Sequence, residues 1–249
     1  MTASLVSYVP DPYVQENHAR FVLHHSPAED AAVIQWVSEI MTQGLAFSFE
    51  TLRFRPCRAL HLCVFHSNTD ACEQLRRAIS PTMAMAPYAD ADVGLLMIHS
   101  PITDPLNADR TRMLRVLVHE IVHQLVAERS GSTKILGDGN RNMRVSTWIT
   151  EGIAEYVGIL ATGELSRLEA MQGQFSTARE YFTFRTLSNC LDGLDHPARK
   201  SAFNHVVGAV RLLCEHFKPE TVFRDLIHFD QTFALDDDCT PETIRCACA

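Results

Sequence analysis

Apolar and polar positions change period several times along the chain, and those changes mark out its elements. Residues 1–17 hold Pro10 and Pro12 and show no sustained period, which predicts an irregular lead-in. FVLHH at 21–25 reads as a short strand. A helix is expected from 27 to 42, with Pro27, Glu29 and Asp30 in its first turn and Val33, Ile34, Trp36, Val37, Ile40 and Met41 as its apolar surface. Gly44 is expected to end it. ALHLCVF at 59–65 and VGLLMIH at 93–99 read as further strands, with a helix at 70–79 between them. A longer helix is expected over 106–127, where Leu114, Leu117, Val118, Ile121 and Leu125 recur on one side. After a connection at 130–145 rich in Gly and Asn, a second helix starts near Ser146 and carries WITEGIAEYVGIL. Helical segments at 165–174, 198–217 and 219–229 follow. Strand and helix alternate in the first half, and helices alone fill the second, which predicts an α+β chain.

The 106–127 helix contains RVLVHEIVHQL at 115–125. Residues four apart share one face of a helix, so His119 and His123 can aim both imidazoles at one point. A single Zn2+ suits that pair, because zinc takes neutral histidine nitrogens at roughly 2.0 to 2.1 Å and a catalytic site commonly has three protein ligands. Glu120, beside them, has the chemistry of a general base for a metal-activated water. Two histidines leave a third ligand to be found. Glu151, on the next predicted helix, is the candidate, and Glu155 one turn further can accept the free N–H of a ligand histidine from behind it.

HEIVH followed by WITEGIAEY resembles the gluzincin zinc metallopeptidases, most closely their peptidase MA-like branch with its HExxH…WxxEGxAEY pattern. The resemblance also covers the order of elements from about Phe21 to Ile227. It implies a thermolysin-like zincin fold, with a mixed β-sheet lobe and its helices facing a mainly helical lobe across a cleft that holds the zinc. Carried over by position, His119, His123 and Glu151 are the metal ligands, Glu120 the base and Glu155 the residue behind a histidine. Relatives present a Tyr or His from the helical lobe to stabilise the oxyanion. Here Phe203 falls at the expected Tyr, and a phenyl ring donates no hydrogen bond. His205 and Tyr181 are the substitutes the sequence offers, with His205 preferred.

Length and charge narrow the remaining choices. The 249 residues, 46% hydrophobic, are enough for one substantial core. We expect a single metallopeptidase-like domain over 1–235, its sheet lobe and motif helix at about 18–129 and its helical lobe at about 146–230. A net charge of -8 without clustered Lys and Arg argues against a nucleic-acid partner. No apolar run approaches the roughly 20 residues of a membrane span, and the N-terminus lacks a signal-peptide pattern, so a cytoplasmic location is the expectation. The cysteines read as reduced thiols, Cys63 and Cys214 as small buried hydrophobes. Cys239, Cys246 and Cys248 belong to a tail at 236–249. The other histidines, among them His24, His25, His61 and His66, read as surface or loop residues.

The resulting expectation is a zinc metallopeptidase acting on a peptide or amide substrate. A zinc-binding scaffold without turnover and a dedicated amide hydrolase or maturation enzyme are the alternatives.

Overall fold

The computed structural model describes residues 12–57, 59–66, 88–90, 94–102, 108–131, 133–134, 141–142, 144–176, 183–192, 198–234 and 244. Five strands, β1 (Val14–Asn17), β2 (Phe21–His25), β3 (Leu60–Phe65), β4 (Tyr88–Asp90) and β5 (Leu95–His99), form one sheet in the order β1-β2-β3-β5-β4. The inner strands β2, β3 and β5 run parallel, and the outer strands β1 and β4 are antiparallel to their neighbours. The register follows the alternation of side chains. Leu60, Leu62 and Val64 of β3, Phe21 and Leu23 of β2 and Leu96 and Ile98 of β5 all join the main core.

Two long helices pack on that sheet: α1 (Ala31–Leu52) and α2 (Arg110–Ser130). Asp30 caps α1 by accepting from the Ala32 amide, and Asp109 caps α2 by accepting from the Arg112 amide, each satisfying a donor the helix leaves over. Gly131, in the left-handed conformation, closes α2. A two-stranded ribbon, β6 (Thr133–Lys134) and β7 (Arg141–Asn142), lies within the following connection. The remaining helices are α3 (Thr147–Thr162), α4 (Leu165–Ser176), α5 (Phe184–Asp192), α6 (Arg199–Phe217), α7 (Pro219–Arg224) and α8 (Leu226–Ala234). The architecture is α+β, a mixed sheet with helices.

Several expectations change. The lead-in contains β1, whose existence comes from pairing with β2 rather than from its own sequence. The second outer strand, β4, stands where the sequence reads as a loop rich in Pro, Ala and Asp. Gly44 does not end α1, which continues to Leu52. A Cβ at Gly44 would stand 3.2 Å from Val118 and 3.3 Å from Ile121, so this glycine serves the close crossing of α1 over α2. The segment expected as one helix at 219–229 is two, divided at Asp225. Helix α5 was not expected, yet its Phe184 packs on Trp148 with ring centroids 4.1 Å apart. Trp148 thus packs against α5. The expected helix at 70–79, Tyr181 and the three tail cysteines lie outside the described residues.

The crossing of α2 and α3 positions the site. A Cβ at Gly158 would come within 2.9 Å of the Arg115 carbonyl oxygen, a backbone contact that only a glycine permits without moving a helix. On the next face of α3, a Cβ at Gly152 would come within 2.9 Å of the Val206 carbonyl oxygen, so α6 approaches just as closely. The start of α3 is pinned by Asp230 of α8. Its carboxylate accepts from the Ser146 amide at 2.9 Å, the Ser146 hydroxyl at 3.1 Å and the indole N–H of Trp148 at 2.8 Å. Around these bonds Leu117, Ile121, Trp148, Ile149, Ile153, Val206 and Val210 are fully buried, each such side chain contributing roughly 1.5 to 3 kcal/mol of hydrophobic stabilisation.

Candidate metal centre

Helix α2 supplies two histidines one turn apart, and α3 crosses it so that Glu151 faces both. The Nε2 atoms of His119 and His123 are 2.9 Å apart. Glu151 Oε2 lies 3.4 Å from His119 Nε2, and Glu151 Oε1 lies 3.5 Å from His123 Nε2. Ligands at about 2.05 Å from a tetrahedral zinc stand about 3.3 Å from one another. The three residues thus present lone pairs at the spacing a small divalent cation requires. Among the described residues, His119, His123 and Glu151 are the one group of His, Cys, Asp or Glu that could hold a metal.

The ring orientation is set from behind. His119 Nδ1 donates to Glu155 Oε2 at 3.2 Å, which leaves Nε2 to face the ligand cluster. Glu155 is buried, at 3% exposure; its other oxygen accepts from Arg115 Nη1 at 2.6 Å and forms an ion pair with Arg167 Nη2 at 3.2 Å. Arg115 Nε is also 3.4 Å from Glu164. Arg115 precedes His119 by four residues and therefore shares its helix face, a signal the i, i+4 spacing contains. Arg167, from α4, has no local signal at all.

The electrostatics of the metal-free site follow from these contacts. Burial opposes the imidazolium form of His119. Hydrogen bonds to Glu151 and Glu155 and the charges of Glu151 and Glu120 outweigh it and hold the group well above its usual pKa. Burial likewise opposes ionised Glu151, but the His123 charge and the bonds from both histidines keep its carboxyl well below the usual range. Glu155 is lowered to about 2: burial resists, and the His119 bond and charge with the two guanidiniums overcome it. A pocket this favourable to a proton between its ligands is one in which a divalent cation takes the proton's place, because metal ligands must be deprotonated. The donor set of two imidazoles and a carboxylate fits zinc.

The other expected residues divide. Glu120 is half-buried, and its charge acts on His119. Phe203 of α6 turns toward the centre, its ring 6.4 Å from that of His119 at an interplanar angle of 27°. His205 is buried on the same helix, and burial lowers its pKa. Two residues turn an α-helix by about 200°, so His205 projects from the opposite side to Phe203. Phe203, at the position where a Tyr is expected, is the residue whose ring lies beside His119. The N-terminal histidines also differ from expectation. His24 is buried, bonds to His61 at 2.9 Å, and is lowered to about 4 by burial and by the charges of His61 and His25. His66 donates to the buried Glu29 at 2.8 Å. Cys63 and Cys214 are buried, and burial pushes both thiols up.

A mixed sheet beneath a two-histidine helix, with a glutamate on the crossing helix, defines a zincin-like arrangement. The comparison of folds agrees at that level. Native yeast LTA4 hydrolase superposes with a TM-score of 0.50 at 12% identity, over 89% of this chain and 33% of that one. Yeast LTA4 hydrolase in complex with bestatin gives 0.50 at 14% identity, over 94% of this chain and 35% of that one. At such identities the likeness is one of broad fold. The chain spans about a third of their length. No protein-family model matches the sequence, and no curated protein matches it. No helix among the described residues is long and apolar enough to cross a membrane.

Proposed function

We propose that the chain is a zinc-dependent hydrolase of a peptide or amide bond. The observation that carries this reading is the convergence of His119, His123 and Glu151 at 2.9 to 3.5 Å, with Glu155 fixing the His119 ring from behind. His119, His123 and Glu151 would hold one zinc ion. When bound, zinc supplies a Lewis acid that polarises a carbonyl and lowers the pKa of water. Glu120, adjacent to His119 in sequence and half-buried, takes the water proton and passes it to the leaving nitrogen. Glu155 keeps His119 in the tautomer with its N–H on Nδ1. The fold shared with LTA4 hydrolase, one structure of which holds bestatin, supports the class and leaves the substrate to experiment.

Replacing Glu120 with Gln keeps shape and removes the base. The purified variant should retain stoichiometric zinc and lose hydrolysis by about 10² to 10⁴-fold. Undiminished hydrolysis rejects Glu120 as the base, and a native protein that binds no zinc rejects the centre itself.

Phe203 favours a second reading. With a phenyl ring turned toward His119, the site offers no hydroxyl there, and a scaffold that binds zinc without turnover has the same ligand set. Peptide-library profiling of native protein beside a chelator-treated control separates the two readings: zinc-dependent cleavage of any member excludes the scaffold.

A further inference from the structure

Orienting one imidazole takes one carboxylate, and holding that carboxylate takes one donor on its outer oxygen. Glu155 has that donor in Arg115 and, beside the same oxygen, a second cation in Arg167. Arg115 Nη1 makes the short contact at 2.6 Å and comes from a side chain only 14% exposed, whereas Arg167 Nη2 stands at 3.2 Å on a side chain 39% exposed. Arg115 also faces Glu164 at 3.4 Å. Two guanidiniums and two carboxylates therefore form a neutral quartet, with Arg115 between Glu155 and Glu164 and Arg167 beside Glu155. Arg115 by itself supplies the orientation, so what Arg167 adds is charge. A carboxylate behind a ligand imidazole makes that ligand more basic. A cation on the carboxylate's far oxygen lets it keep the ring aligned while passing less negative charge toward the metal.

We infer that Arg167 is a positioning residue that acts through Glu155 to weaken the hold of the centre on its metal, leaving a bound ion more electron-poor than the His119–Glu155 pair alone would. The inference rests on the reading of His119, His123 and Glu151 as metal ligands. It also predicts a sign that a packing defect does not produce: removing Arg167 tightens metal binding.

The test is zinc affinity by chelator competition for the native chain and for Arg167→Gln, Arg167→Lys and Glu164→Gln, with melting curves of each metal-free protein. Arg167→Gln should bind zinc about fivefold more tightly, the size Coulomb's law gives for a unit charge and a divalent ion across a screened protein surface. Arg167→Lys keeps the charge and should stay within about twofold of native. Glu164→Gln removes a negative charge from the same quartet and should bind more weakly. All the differences should shrink in molar salt, where the screening length falls to about 3 Å. Equal or weaker binding by Arg167→Gln, or equal tightening by Gln and Lys, overturns the inference. A native chain without stoichiometric zinc overturns the metal reading instead, so the two failures are told apart.

Discussion

Glu155→Gln is the most informative single change, because the substitution is nearly isosteric and its consequences can be worked from three contacts. The carboxylate accepts from His119 Nδ1 through Oε2 and from Arg115 through Oε1, and Oε1 also pairs with the Arg167 charge. A glutamine has one acceptor oxygen and one NH2 group, so whichever way the amide turns, a donor on one side meets a donor. If the oxygen faces the arginines, His119 loses the bond that fixes its tautomer. If it faces His119, the NH2 confronts Arg115, which is mostly buried. Hydrogen bonds to charged groups contribute about 1.5 to 3 kcal/mol each, and Arg115 retains Glu164 as a partner. The metal-free protein should therefore lose about 2 to 4 kcal/mol by denaturant unfolding, and zinc affinity by chelator competition should fall about 10- to 100-fold. A variant with stability within about 0.5 kcal/mol of native and zinc affinity within about twofold refutes the claim that Glu155 organises the centre.

Two further perturbations probe how the helices carry the site. Gly158→Ala places a methyl group against the Arg115 carbonyl oxygen at 2.9 Å, so α2 and α3 must separate; about 1 to 3 kcal/mol of stability should be lost, with zinc affinity falling alongside, and a thermally unchanged variant with native zinc binding contradicts the close crossing. Asp230→Ala strands the buried indole N–H of Trp148 and the Ser146 donors, and a calorimetric loss of about 2 to 3 kcal/mol is expected, with stoichiometric zinc retained because Asp230 touches no ligand.

Local spacing explains which parts of this architecture the chain announces in advance. His119 and His123 are readable because one helical turn is a short-range rule, and Glu151 and Glu155 because the same turn repeats on a second helix. Strands β2, β3 and β5 are readable because their apolar runs need burial on both sides. The outer strands β1 and β4 carry no such signal. VQEN at 14–17 becomes a strand only because β2 offers it hydrogen-bonding partners. Gly44, Gly152 and Gly158 show the opposite difficulty: the letter is conspicuous, but its meaning is the distance to a backbone elsewhere in the chain. Propensity alone reads Gly44 as a stop, and the approach of Val118 and Ile121 makes it a helix interior.

The same distinction separates the ligands from the groups that tune them. Arg115 shares a helix face with His119 and so belongs to the short-range pattern, while Arg167 and Asp230 reach Glu155 and Trp148 from helices whose placement no local rule supplies. The proposed ligands are thus written in the motif, whereas the charge behind them is written in the packing of α4 against the rest. A substitution at Arg167 leaves HEIVH and WITEGIAEY intact yet changes the field they act in. On the proposed reading, two chains identical in both motifs differ in how tightly they hold zinc when one has, and the other lacks, the guanidinium 3.2 Å from Glu155.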